Sequence, residues 1–157
     1  MAVQFIDNSI EVKAELNSNT IGWLHTWANE IASTAKRECS LDGDEGTQLR
    51  GSYRAEVDDG AGEAKVGTSL ESGYWEEYGT GEHAVRGDGR KGWWVYKDGY
   101  KGSGGKVLTE QEAKAAAAAD PTVHATNGRP PNYTLEKAFT KNAPKAKADL
   151  ENRLKGM

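Results

Sequence analysis

The hydrophobic period of this chain switches from helical to extended within its first seventy residues, and that switch limits the folds open to it. Between Asn19 and Glu38, Ile21, Leu24, Ala28, Ile31 and Ala35 recur at three- and four-residue steps, with Trp27 widening the stripe. That is the pattern of an amphipathic helix. Asn19 or Thr20 stands where an N-cap belongs, and residues 40–46 are rich in turn formers that stop it. From Leu49 the period falls to two. Leu49, Gly51, Tyr53, Ala55 and Val57 alternate with Arg50, Ser52, Arg54 and Glu56, as in a half-buried strand. Asp58-Asp59-Gly60 turns the chain, and residues 63–70 return with Ala64, Val66 and Thr68 on one face, which makes a hairpin.

Downstream, residues 69–78 read as a short helix that places Tyr74, Trp75 and Tyr78 on one side. Residues 79–92 form a polar loop, Trp93-Trp94-Val95-Tyr96 a third strand, Lys97-Asp98-Gly99 a turn, and residues 102–105 a glycine-rich linker. Thr109-Glu110-Gln111-Glu112 is a capping box for a helix through Ala113 and Ala115 to Ala119, closed by Asp120-Pro121. Residues 133–154 carry a last helical stripe of Leu135, Phe139, Ala146, Leu150 and Leu154, and Pro144 is expected to kink or restart it. The expected architecture is α+β in one domain, residues 1–157. A small antiparallel sheet (the hairpin plus the Trp-bearing strand) is packed by a long N-terminal helix and a kinked C-terminal helix, with a surface insertion at 100–127.

Composition narrows the function classes. A formal charge of -4 opposes a general nucleic-acid binder, which needs a net basic face to release counterions. A mean hydropathy of -0.77 suits long loops, or surface buried only on assembly. The single cysteine, Cys39, suits a reducing compartment. No apolar run approaches the roughly 20 residues of a membrane span, and Met1 to Asn8 lack the layout of a signal peptide. The expectation is a soluble protein made in the cytoplasm.

The usual chemical constellations are missing from the sequence. His25, His83 and His124 have no metal-ligand spacing, so neither metal nor cofactor is expected. Gly102 to Lys106 fails as a phosphate loop, because Tyr100 stands five before Gly105 and Val107 follows Lys106. Arg86-Gly87-Asp88 reads as a loop turn. No serine lies in a Gly-x-Ser-x-Gly elbow, and Glu76 and Glu77, as helical neighbours, point about 100° apart. With no nucleophile, base and orienting group together, the chain is not expected to be an enzyme.

Five short motifs, in order, carry a resemblance. They are Gly46-Thr47-Gln48-Leu49-Arg50-Gly51-Ser52; Val66-Gly67-Thr68; Glu77-Tyr78-Gly79-Thr80-Gly81, preceded by Tyr74 and Trp75; the strand with Trp93 and Trp94; and Arg129-Pro130-Pro131 leading to Leu135, Ala138 and Phe139. Behind a long amphipathic N-terminal helix, this succession resembles the minor capsid and tail-completion proteins of tailed phages. That is the gp-ten-like neck family related to the lambda tail-completion protein Z. Gly46-Thr47 reverses the family's first two residues, and residues 100–127 exceed its usual connection.

The resemblance implies a structural virion protein of the head–tail neck, assembled as a homo-oligomeric, hexameric ring. Its partners would be the connector and the tail-terminator or tube proteins, with genomic DNA passing through the lumen without specific binding. It marks Tyr74, Trp75, Glu77, Tyr78, Gly79, Thr80, Gly81, Trp93, Trp94, Arg129, Pro130 and Pro131 as interface or structural positions. Glu77 is expected to hold the Gly-Thr-Gly loop by accepting from backbone or an arginine such as Arg50. Adjacent Trp93 and Trp94 must face opposite sides of a strand, so one belongs to the core and the other to a subunit contact. Charge on an exposed loop selects Arg86, Arg90 and Lys91 for reaching DNA or a neck partner. The competing reading is a stand-alone carbohydrate- or peptide-binding module using the Trp-rich sheet.

Overall fold

The computed structural model describes residues 9–87, 89–98 and 105–156, with side chains described from Leu16 onward. In chain order the elements are α1 (Ser9–Glu38), α2 (Gly43–Ser52), β1 (Arg54–Asp58), β2 (Glu63–Gly67), α3 (Glu71–Tyr78), a single 3-10 turn (Gly81–His83), β3 (Trp94–Lys97), α4 (Glu110–Ala119), β4 (Val123–Thr126) and α5 (Thr134–Lys155). The fold is α+β, with two antiparallel two-stranded sheets, β1–β2 and β3–β4. The chain divides into two compact units. Unit 1 comprises Met1–Ser69 with Thr134–Met157, and unit 2 is Leu70–Tyr133.

Unit 1 is built on α1. Ala28, Ala32 and Ala35 are buried on one helix face, and small side chains there let α5 approach closely. Its core gathers Ala35, Cys39, Leu49, Tyr53 and Ala138, with Ile31, Leu41 and Leu135 packed against them. Polar ties cross the helix pair. The Trp23 indole donates to Ala146 O at 2.8 Å, that of Trp27 to Asp149 Oδ2 at 2.8 Å, and buried Asn142 donates to Thr34 Oγ1 at 2.9 Å. The hairpin lies along the same helix, and His25 Nε2 is 2.7 Å from Asp59 Oδ1 at its turn.

Several expectations change. Among the described residues α1 already runs from Ser9, ten residues before the expected start at Asn19. Residues 9–16 are rich in good helix formers (Glu, Lys, Ala, Leu), and Ile10 and Ala14 fall in step with Ile21, but polar Asn17 interrupts the stripe between them, so the unbroken pattern starts only at Ile21. The strand expected from Leu49 starts only at Arg54, because residues 43–52 are helical. Asp44 and Glu45 suit the first turn of α2, and helical spacing sends Leu49 and Tyr53 together into the core. The Leu49–Gly51–Tyr53 alternation was empty at Gly51, which has no side chain to bury. α5 continues through Pro144 instead of restarting after it.

Unit 2 holds the other sheet. β3 pairs with β4 in the register Trp94↔Thr126, Val95↔Ala125, Tyr96↔His124, Lys97↔Val123. The Trp-bearing strand therefore does not extend the hairpin sheet. Its partner comes from inside 100–127, the stretch that also holds α4. Thr109 caps α4 as its sequence requires, with Glu112 N–H donating to Thr109 Oγ1 and Thr109 N–H to Glu112 Oε2. Tyr100, the linker residues 102–104, Asp88 and the N-terminal Met1 to Asn8 lie outside the described residues. No helix among the described residues is long and apolar enough to cross a membrane.

Candidate functional site

The Gly-Thr-Gly segment and the Arg-Pro-Pro segment, some fifty residues apart in sequence, are joined in unit 2. The short helix α3 ends at Gly79, whose N–H donates to Trp75 O at 2.8 Å while its backbone adopts φ 75°, ψ 175°. The chain then runs beside residues 127–132. Thr80 N–H donates to Arg129 O at 2.9 Å, Arg129 N–H returns to Thr80 Oγ1 at 2.9 Å, and Glu82 N–H donates to Asn127 O at 2.9 Å. Gly81 and Gly128, both at positive φ, cross so closely that a Cβ on Gly81 would lie 2.2 Å from Asn127 O and one on Gly128 2.1 Å from Thr80 O. Only glycine fits either position.

Glu76, one residue before the glutamate singled out from the sequence, fastens this junction. Glu76 is 1% exposed. Its Oε1 accepts from Asn132 Nδ2 at 2.9 Å, its Oε2 is 3.4 Å from Arg129 Nη2, and its backbone O accepts from Asn132 N–H at 2.8 Å. Burial is tolerable because the charge is paired and hydrogen-bonded. Glu77 is buried beside it, while Arg50 donates to Leu41 O at 2.6 Å in unit 1. Glu76 shares the buried side of α3 with Ser72 and Gly73, and no local spacing in the sequence marked that side. The sequence carried no signal for Asn132 either.

A second fastening lies within unit 1 and joins the first two motifs. Ser52, at the end of the first, and Thr68, at the end of the second, bring their hydroxyls to 2.5 Å.

The loop after the 3-10 turn is tied rather than free. Glu82 accepts from Gly92 N–H at 3.0 Å and from Asn127 Nδ2 at 3.2 Å, and the Gly92 N–H, followed by the Asn127 amide, holds its carboxyl below the ordinary glutamate range. Arg86 lies over Tyr78 at 3.9 Å and Tyr74 at 5.5 Å, two rings that are themselves 5.0 Å apart. Arg90 lies over Trp94 at 5.1 Å and donates to Gly105 O. Two of the three cations chosen for outside contacts thus also anchor the loop to aromatic faces. Lys91 is exposed.

Trp93 and Trp94 are both half-buried. Trp93 has Lys114 over its ring at 5.3 Å and a backbone bridge to Leu108, and Trp94 takes Arg90. Tyr74 and Trp75 remain 37% and 42% exposed on α3, and Pro130 is exposed while Pro131 is half-buried. Among the described residues no cluster of three His, Cys, Asp or Glu is placed to hold a metal.

The junction is held by backbone and side-chain hydrogen bonds and the Glu76–Arg129 pair. No family model, curated protein or solved structure matches this chain.

Proposed function

We propose that this chain is a non-enzymatic structural protein of the tailed-phage head–tail neck, assembled as a ring. The observation that carries the reading is the fate of the resembling motifs. Two close against each other in unit 1 through Ser52 and Thr68, and two in unit 2 through Thr80, Arg129 and Glu76. Residues that recur for assembly geometry are expected to act this way, as fasteners that fix surfaces, not as reactive groups. Exposed Tyr74 and Trp75 suit subunit contacts, where aromatics are enriched. In this reading the ring meets connector and tail proteins above and below, sits in the virion, and passes DNA through a lumen kept from gripping it by net negative charge.

Light scattering across a concentration series tests ring formation, and addition of the protein to separated heads and tails tests its role. A closed oligomer that restores joining supports the reading. Joining that is equally efficient without the protein sinks it. The competing reading, a carbohydrate- or peptide-binding module, draws on exposed Tyr96 beside His124, with rings 5.1 Å apart. A monomer whose tryptophan fluorescence is quenched by a glycan or peptide would favour that alternative.

A further inference from the structure

Asn127-Gly128 is the one Asn-Gly step in the sequence, and it lies inside the crossing that closes unit 2. An asparagine followed by glycine is chemically labile. The backbone nitrogen after the asparagine can attack the side-chain amide carbon, and glycine, with no side chain, hinders that approach least. Thr126, Asn127 and Gly128 are half-buried and follow directly from β4, which ends at Thr126.

In the closed form the reacting groups are engaged elsewhere. The Gly128 N–H, whose nitrogen would attack, donates to Thr126 Oγ1 at 3.0 Å. The Asn127 amide nitrogen, which would leave, donates to Glu82 Oε2 at 3.2 Å. A carboxylate only accepts, so the amide nitrogen and not its oxygen faces Glu82. The Asn127 carbonyl accepts from Glu82 N–H at 2.9 Å. The main chain has no slack either, since a Cβ on Gly81 would lie 2.2 Å from Asn127 O.

We infer that Asn127 is a self-modification site gated by this junction: it deamidates, with water as co-reactant, when the Gly81–Gly128 crossing opens, and the product prevents full reclosure. In the open form the Gly128 nitrogen loses its proton to water and bonds to Asn127 Cγ. The bond from Cγ to the side-chain nitrogen then breaks, ammonia leaves, and a cyclic imide remains. Water adds to one of the two imide carbonyls and breaks that carbon's bond to the ring nitrogen. Amide and water become acid and ammonia, with no change of oxidation state. Opening at the side-chain carbonyl gives aspartate, and opening at the main-chain carbonyl gives an isoaspartyl linkage.

Neither product fits the closed junction. Aspartate sets a carboxylate oxygen where the amide nitrogen stood, 3.2 Å from Glu82 Oε2, so a donor is replaced by a like charge. The isoaspartyl form adds a carbon to a main chain that passes Gly81 with no room for one. The acid content at position 127 therefore records how often the junction has opened. The inference concerns unit 2 alone and stands or falls separately from the neck reading.

Peptide mapping by mass spectrometry, over days in mildly alkaline buffer, compares the native wild type with the same protein unfolded in guanidinium chloride. Conversion at Asn127 should be fast in the unfolded chain and slower in the native protein by on the order of a hundredfold or more. Glu76→Ala, which loosens the junction, should speed native conversion on the order of tenfold. Thr126→Val, near-isosteric but without the acceptor for Gly128 N–H, should act in the same direction and carries the comparison if Glu76→Ala does not fold. Asn127→Asp, the product made directly, should lower exchange protection of the Thr80 and Glu82 amides. Equal native and unfolded rates, a native rate that the folded variants leave unchanged, or undiminished protection in Asn127→Asp each overturns the inference.

Discussion

Arg129 reaches back to Glu76, with its Nη2 3.4 Å from a carboxylate that is fully buried while the guanidinium stays partly exposed. The pair spans two of the segments that carry the resemblance, and Asn132 completes it. Glu76→Ala should cost unit 2 about 2 kcal/mol, below the full cost of breaking a buried pair because Arg129 can rehydrate. Glu76→Gln should cost less, since the amide keeps an acceptor for Asn132. Hydrogen exchange of the Thr80, Glu82 and Asn132 amides reads this locally. Unchanged protection in Glu76→Ala would show that the carboxylate does not hold the junction.

The crossing of Gly81 with residues 127–128 predicts a steep difference between two glycines of similar φ. Gly62→Ala places a Cβ at φ 66° in open space, so only backbone strain of about 1 kcal/mol opposes it. Gly81→Ala drives the Cβ into Asn127 backbone and should cost about 3 kcal/mol or prevent closure. Urea unfolding of both variants checks the order, and equal midpoints would refute the close crossing.

The Glu38–Lys141 pair, 2.5 Å apart between α1 and α5, supplies a pH dependence. The Lys141 hydrogen bond, against a smaller burial effect, holds the Glu38 carboxyl below the ordinary glutamate range. A depressed folded pKa means the contribution is present above the unfolded pKa and is lost as pH falls through the folded one. Lys141→Met should therefore destabilise by about 0.5 kcal/mol near neutrality, and the gap from wild type should close in acid. A gap that persists unchanged at low pH and in high salt would mean the loss is one of packing.

Removing the α4 cap isolates a local effect. Thr109→Ala deletes the acceptor of the Glu112 N–H and should cost about 1 kcal/mol, with Thr109→Ser keeping most of it. The readout is exchange protection in the first turn of α4, and equal loss in alanine and serine variants would remove the capping explanation.

How far the sequence reached can be seen element by element. The Thr109 box named its own partner three residues on. The hairpin was visible in Ala64 and Val66 opposite Val57 and Ala55, and the register pairs those residues directly. α2 was misread because Leu49 and Tyr53 satisfy both a period of two and a helical i,i+4 step, and only burial against Ala35 and Ala138 selects the helix. Glu77 was preferred over Glu76 because it adjoins Tyr-Gly-Thr-Gly, whereas the side that is buried beside Arg129 depends on where residues 127–132 lie. β4 was hidden in a segment judged an insertion, since Val-His-Ala-Thr has no clear period and becomes a strand only by pairing with β3.

By itself the sequence determined what depends on near neighbours: helix periods, the hairpin turn, the α4 cap and the motif order. Tertiary structure alone decided which distant segments meet, through the Gly81–Gly128 crossing, the Glu76–Arg129 pair and the β3–β4 ladder. It also decided which apolar residues stay uncovered. Phe139 belongs to a helical stripe as regular as any in the chain, yet a stripe states only that a face is apolar. Whether α1, β2 or another molecule covers that face depends on where helices and strands end, and local spacing does not encode it.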